Sequence, residues 1–376
     1  MIGALSTALL VGLCALAALR PPRPRRSTPW NPQFALGFLV NEQPYLALCW
    51  LLAATTPGWL HPDPGRPLWW LLAALTVLVV LALGLVAVRA RTARPALSAA
   101  LENAFGAGAA PRYTRPSWWR VTLLPFLSWR PDVRRIGNQR YGPARRGHRL
   151  DVYVPRRRRP GPGGPVLVYF HGGGFRIGSK RFGAHPMLHR LAARGWVCIS
   201  ADYRLARVRY ADQLADTRAV VAWARSHAEA LGGSPGTLFL SGGSAGAHLA
   251  ATAALSGAGV SGVIGLFGYY GDAGRPDPEP TSPSAYADAA APPFLIVHGT
   301  LDTLVLREDA RQFADRLRAV SRRPVVYAEL PGTHHNFDLF HSVRFHAVTD
   351  AVARFAELTA GTGEAPGHVT SNVHQP

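Results

Sequence analysis

Gly242-Gly243-Ser244-Ala245-Gly246 decides how this chain is read. The pentapeptide fits G-x-S-x-G and follows an apolar run, Thr237-Leu238-Phe239-Leu240. A stretch of small residues with helical character, Ala247 to Leu255, comes after it. Strand, sharp turn and helix in that order force the central serine into a strained backbone position, with its hydroxyl exposed above the sheet. The glycines serve the same turn, because a Cβ there would clash with the neighbouring strand and helix. Gly, Ser and Ala are common in this chain, so the weight of the motif depends on what lies on either side of it.

From about Val133 outward, strand and helix patterns alternate. Strands are expected at Arg134–Tyr141, Arg149–Val154, Val166–Phe170, Val197–Ala201, Leu238–Ser241, Gly262–Phe267, Phe294–His298 and Val325–Leu330. Helical patterns fall at His185–Ala193, Gln213–Leu231, Ala245–Leu255, Arg307–Val320 and Val343–Leu358. The later strands are short continuous apolar runs, as expected where helices cover both faces of a parallel sheet. The first two are polar and read as an antiparallel hairpin at the edge. The fold class is therefore α/β: an open, mostly parallel eight-stranded sheet with helices on both faces.

Three further segments complete the chemistry that a serine needs. His171-Gly172-Gly173-Gly174-Phe175 follows the strand Val166–Phe170. Residues without side chains let backbone amides approach a developing oxyanion, so Gly173 and Gly174, with the Ala245 amide, are the expected donors. A phosphate loop is not indicated, because no G-K-[ST] closes the segment. A serine hydroxyl needs a base, and the base needs an orienting carboxylate. Asp302 sits in the turn after Phe294-Leu295-Ile296-Val297-His298, whereas Glu308 and Asp309 fall inside a predicted helix. The base belongs in the loop after Val325–Leu330, where His334 and His335 compete. The order is Ser, Asp, His, as in α/β-hydrolases.

Residues 133 to 360 resemble the hormone-sensitive-lipase-like branch of the α/β-hydrolases, which holds bacterial carboxylesterases and arylacetamide deacetylases. The shared motifs are His171-Gly172-Gly173-Gly174, Asp202-Tyr203-Arg204-Leu205, Gly242-Gly243-Ser244-Ala245-Gly246, His298-Gly299-Thr300-Leu301-Asp302 and His335-Asn336-Phe337. The resemblance implies Asp302 as triad acid and a helical cap formed partly by the segment before the sheet. In that family a small residue and then Phe follow the catalytic histidine, which favours His335, with Asn336 an unusual middle residue. Arg207 stands one residue beyond the usual Pro, and Ala247-His248 replaces the commoner Gly-Asn. His248 reads as structural, and Asp216 as a surface or packing-network acid.

The first third has a different character. Ile2–Leu19, Phe34–Leu60 and Leu68–Val88 are apolar runs, the second interrupted by Asn41-Glu42-Gln43-Pro44. Each is near the length that crosses a bilayer, so three spans are expected. Trp30, Trp59, Trp69 and Trp70 lie near their ends, where amphipathic rings favour the headgroup layer. Glu42 is costly in lipid, which places it at an interface. Ala15-Leu16-Ala17 has the residues of a signal cleavage site, but no positive charge precedes the apolar run. Arg20, Arg23, Arg25 and Arg26 follow the first run, and Arg89, Arg91 and Arg94 the third. Positive-inside logic then puts the catalytic domain in the cytoplasm. This combination of spans and domain is similar to that of mycobacterial and related actinobacterial lipase/esterase proteins.

The expected organisation is a membrane domain over 1–94, a connector over 95–132, the catalytic domain over 133–360 and a disordered tail over 361–376. The connector carries Trp118, Trp119 and Trp129 among Arg112, Arg115, Arg120 and Arg130. It reads either as a cap or interfacial segment on an anionic leaflet or as an amphipathic linker packed on the domain. Net charge is +19, with Lys180 the only lysine, an arginine bias that base composition alone also produces. Arg156–Arg159 is one charge run without a binding fold, so no nucleic-acid role is expected. Cys14, Cys49 and Cys198 have neither disulfide nor zinc spacing, and Cys198 reads as a core residue. No metal or organic cofactor is expected.

The expected reaction is hydrolysis of a small-molecule or lipid carboxylic ester through an acyl-enzyme. Acyl transfer and amide deacetylation use the same triad. A membrane-anchored binding protein with a degenerate site is the alternative from another class, and the full Ser/Asp/His set counts against it.

Overall fold

Alternation along the central strands dictates the layers. In β3 (Gly164–Phe170), Val166, Val168 and Phe170 join one buried apolar cluster while Leu167 and Tyr169 join another. In β5 (Gly233–Gly243), Leu238 and Leu240 face the first cluster and Phe239 the second. Successive side chains of a strand point to opposite faces, so both faces must be covered. The computed structural model describes residues 1–20, 32–144, 147–157, 161–205, 208–274 and 277–360. The expectations for Arg23, Arg25, Arg26 and Trp30, for Arg158 and Arg159, for Arg207 and for the tail 361–376 lie outside the described residues.

The sheet has eight strands in the order β1-β2-β4-β3-β5-β6-β7-β8. Its remaining strands are β1 (Val133–Arg140), β2 (Arg149–Pro155), β4 (Val197–Ala201), β6 (Gly262–Leu266), β7 (Phe294–Gly299) and β8 (Val325–Leu330). β1 pairs antiparallel with β2 at the edge, and β2 antiparallel with β4. All other neighbours are parallel. α8 (Tyr210–Leu231), α9 (Ala245–Ala253) and α10 (Arg307–Val320) supply one face, as their buried residues show. α5 (Ala93–Phe105), α7 (His185–Ala193) and α11 (Val343–Ala360) supply the other. Cys198 is fully buried in that second layer.

The connector does not hang free. Ala93, Leu97 and Leu101 of α5 are buried in the second core layer. Trp118, Trp119 and Trp129 are exposed, but Arg120 is buried and donates to the carbonyls of Leu127 at 2.9 Å and Trp129 at 3.0 Å. Arg130 is bound to Asp132 at 2.7 Å.

The N-terminal segment departs from the expected three spans. Among the described residues, two helical stretches are long and apolar enough to cross a membrane: α1 (Ile2–Leu19) and Pro67–Phe105, which joins α4 (Pro67–Arg91) to α5. The run Phe34–Leu60 is instead broken into α2 (Pro32–Glu42, 11 residues) and α3 (Pro44–Leu60, 17 residues). Pro44 is the cause. Its ring excludes the preceding residue from helical geometry, and Gln43 sits at φ −127°, ψ 51°. Proline then opens the next helix, where its missing N–H costs nothing. Helices of that length rise about 16 and 26 Å, short of a hydrocarbon core of about 30 Å.

α1, α3 and α4 pack together through Ala8, Val11, Ala15, Leu51, Leu72, Val79 and Leu83. Their outer faces expose Leu9, Leu10, Leu13, Leu78, Leu81 and Leu85. Arg89 near the end of α4 donates to Ala18 and Leu19 at the end of α1, so these two helices run parallel. Trp69 at the start of α4 donates to Gly58 at the end of α3, so α3 runs against both. Glu42 is buried within the protein, ion-paired with Arg344 at the start of α11.

Candidate active site

The turn between β5 and α9 is as tight as the sequence requires. Ser244 adopts φ 52°, ψ −119°, a region in which a non-glycine residue is strained. A Cβ on Gly246 would lie 2.0 Å from the Phe170 carbonyl oxygen, and one on Gly242 2.2 Å from the Gly246 carbonyl carbon. The backbone can close there only without side chains. The Ser244 amide donates to Leu266 O at 3.0 Å, tying the elbow to β6.

Asp302 and His335 come from loops that leave the sheet side by side. β7 and β8 are parallel neighbours whose register runs to the Gly299–Leu330 pair, so the residues that follow emerge together. His335 Nδ1 donates to Asp302 Oδ2 at 2.7 Å. Asp302 Oδ1 accepts from the amides of Leu304 and Val305, each at 2.9 Å. Burial alone would raise the Asp302 carboxyl, but His335 and His298 outweigh it and hold the group below the usual carboxylate range. His298 is a second contact that sequence reasoning assigned no role: its Nε2 lies 3.3 Å from Asp302 Oδ2 and 3.0 Å from Val305 O. Only its place in the His298–Asp302 motif could have signalled it.

Phe267 links the two halves. Its ring centroid is 4.7 Å from that of His335, and a Cβ on Gly243 would meet its edge at 2.7 Å. His334 points elsewhere. It is fully buried, faces Phe34 of α2 at 6.2 Å between centroids and makes no contact with Asp302 comparable to that of His335. Burial pushes its imidazole down to about 4. Asp338, three residues past His335, is another group the sequence did not flag. It accepts from Tyr169 Oη at 2.7 Å, and burial pushes its carboxyl up to about 6.

The glycine loop flanks the elbow because β3 pairs with β5 up to Phe170 and Gly242. A Cβ on Gly172 would lie 3.3 Å from Ser244 Cβ. Gly173 and Gly174 have φ of +125° and +59°. Among the described residues, the amides of Gly173, Gly174 and Ala245 donate to no recorded acceptor. His171 braces the loop from below, stacked 4.5 Å from Tyr203, whose hydroxyl donates to His171 O at 2.9 Å.

The family model BD-FAE matches residues 150–264. LipM of Mycobacterium tuberculosis, named a probable carboxylic ester hydrolase, is 32% identical over 97% of this chain and 96% of its own length. The chain belongs to the α/β-hydrolase esterases related to mycobacterial LipM, LipQ and LipC. It is a carboxylic ester hydrolase on that relatedness. Esterase LipC of M. tuberculosis is 36% identical over 55% of this chain and 61% of LipC. Among solved structures, butyrate-bound esterase 2 of Thermogutta terrifontis has a TM-score of 0.51 at 25% identity, over 63% of this chain and 97% of that one.

Other residues singled out in the sequence have structural partners in this esterase. His248 is fully buried, bonded to Tyr210 Oη at 3.1 Å and Gly271 O at 3.0 Å. Burial lowers it to about 4. Asp216 is not on the surface: it is buried and holds Arg204 N at 2.9 Å and His148 Nε2 at 2.9 Å. Glu308 and Asp309 stand in the first turn of α10, and neither hydrogen-bonds His335, which pairs with Asp302. No group of three or more His, Cys, Asp or Glu placed to hold a metal occurs among the described residues.

Proposed function

We propose that Ser244 is the nucleophile of this ester hydrolase, with His335 its general base and Asp302 the group that orients and charge-compensates the imidazole. The observation that carries the reading is the 2.7 Å contact between His335 Nδ1 and Asp302 Oδ2, made from the loops after adjacent parallel strands. With Nδ1 engaged, Nε2 is left to take the Ser244 proton. The oxygen attacks the ester carbonyl, and the alcohol leaves with that proton. Water, deprotonated by His335, then releases the acid from the acyl-enzyme. The amides of Gly173, Gly174 and Ala245 hold the oxyanion in both halves. One such donor is worth about 2.7–4 kcal/mol of barrier. A fluorophosphonate probe tests the reading: it labels the native chain at Ser244, and labelling of a Ser244→Ala chain at the native rate excludes it.

Esterase 2 of T. terrifontis is known in a butyrate-bound structure, which supports short-chain esters as substrates here. A p-nitrophenyl ester series in chain length checks this, and release of free acid rather than an acylated acceptor separates hydrolysis from acyl transfer. The proposed organisation is a membrane module over 1–94, a connector over 95–132 and a catalytic domain over 133–360. The common end of α1 and α4 carries Arg20, Arg89 and Arg91. Positive-inside logic places that end, and the catalytic domain beyond it, in the cytoplasm. A C-terminal reporter active only outside the membrane would reverse this orientation.

A further inference from the structure

The loop that carries His335 is held by residues from the other end of the chain. Arg344 is fully buried, and its guanidinium makes three connections. Nη1 pairs with Glu42 and donates to Asn41 O at 3.3 Å, while Nη2 donates to Gly332 O at 3.3 Å. Glu42 is itself buried and is further fixed by Asn41 Nδ2 at 3.0 Å. The same N-terminal segment grips the loop elsewhere. Gln43 Nε2 donates to His341 O at 3.1 Å, and Phe34 faces His334. Arg89 lies so close to Gly332 that a Cβ there would fall 1.7 Å from its Cδ. Gly332, at φ +65°, leaves room for it.

We infer that Glu42 and Arg344 are positioning residues for His335: the N-terminal helices act as an intramolecular clamp that sets the geometry of the base. The argument is physical. Within the sheet the loop is tied to the turn after β7, by Gly332 N to Thr300 Oγ1 and by Leu301 N to Thr333 O, each at 2.9 Å, and His335 lies between Asp302 and the Phe267 ring; the outer side of the loop is the side that the N-terminal segment covers. The buried guanidinium ties Gly332, three residues before His335, to the polar break between α2 and α3. A planar fork divides the carboxylate and two carbonyls between two nitrogens in a fixed geometry, which the single nitrogen of a lysine does not reproduce. The break at Asn41–Pro44, which cost the second apolar run its span, supplies this contact. The inference rests on His335 being the base.

The test is hydrolysis of p-nitrophenyl butyrate by the full-length chain in detergent micelles, with the rate of fluorophosphonate labelling as second readout. Small displacements of a reacting group cost up to about 100-fold in rate. Glu42→Gln and Arg344→Lys should therefore each lower kcat and the labelling rate by about 10- to 100-fold, with KM within about twofold. Arg344→Lys keeps both charges and loses the fork, so it separates anchoring of the loop from charge balance. It also carries the test if Glu42→Gln fails to fold. Folded variants with native kcat and labelling rate overturn the clamp, as does a loss that tracks a lower melting temperature and a raised KM. A fully active His335→Ala chain removes instead the assignment of the base. An inactive His335→Ala chain beside a fully active Arg344→Lys chain removes only the clamp.

Discussion

The two halves of the candidate site are built in opposite ways. The Ser244 elbow is made locally. Its geometry follows from close backbone approaches among Phe170, Gly242, Gly246 and Leu266, all within the central strands and the turn after them. The His335 loop is made at long range. Its contacts reach Phe34, Gln43 and Arg89, and its arginine partner is separated from Glu42 by 302 positions. A local turn specifies its own geometry whenever the sheet forms. A loop held from afar adopts its geometry only when segments distant in sequence meet, so its chemistry is open to adjustment from residues outside the sheet.

Substitutions that strike each half should differ accordingly. Ser244→Ala removes the proposed nucleophile and should cut kcat by about a millionfold in p-nitrophenyl ester assays. Asp302→Asn keeps the shape of the base side but misdirects the His335 proton, and should cost about 10,000-fold. On the elbow side, Gly246→Ala drives a Cβ into the Phe170 carbonyl. It should lower stability by about 1–3 kcal/mol, read as a drop in urea midpoint, and reduce the yield of labelled protein. Replacing His334 by Phe sharpens the contrast, because a ring of similar shape preserves the contact with Phe34. Its kcat should stay within about threefold of native, and a loss like that of His335→Ala would reassign the base.

Acid and neutral pH separate two carboxyls on the base side. Asp302 titrates below its ordinary range when folded. Its contribution to stability is therefore present above about pH 4 and is lost as pH falls through its folded value. Asp338 works in reverse. Its folded value is about 6, so the native state binds the extra proton between about pH 4 and 6 and loses stability as pH rises through that window. Asp338→Asn retains an acceptor for Tyr169 and should abolish that decline, gaining at most about 3 kcal/mol above pH 6. Urea denaturation at a series of pH values checks it. An unchanged slope between pH 4 and 6 would assign the decline to another group.

What could be read from the sequence follows the same division. β4, β8, α7 and α10 fall at their expected limits, because alternation, helical period and turn residues are local signals. The glycine loop, the elbow and the Asp302 turn were legible for the same reason. The polar break at Asn41–Pro44 was visible as well, but its effect was not: an apolar count over Phe34–Leu60 averages across a proline that ends one helix and starts another. The connector could be read either as an interfacial segment or as a packed linker, since nothing local shows that the Arg120 guanidinium is used on the carbonyls of Leu127 and Trp129. The Tyr169–Asp338 bond was equally hidden, being a contact between segments 169 positions apart, whereas His298 lies only four residues before Asp302 and its contact depends on how the turn after β7 folds.

The distance between Glu42 and Arg344 also has a meaning in time. Synthesis at about 5–20 residues per second separates their emergence by roughly 15–60 s. During that interval the N-terminal helices already exist, and the carboxylate that will be sealed inside the protein has no counter-charge. α11 brings the guanidinium with it. Neutralising this buried acid therefore waits on the synthesis of residue 344, and a nascent chain stalled before it would hold the elbow residues without the buried ion pair.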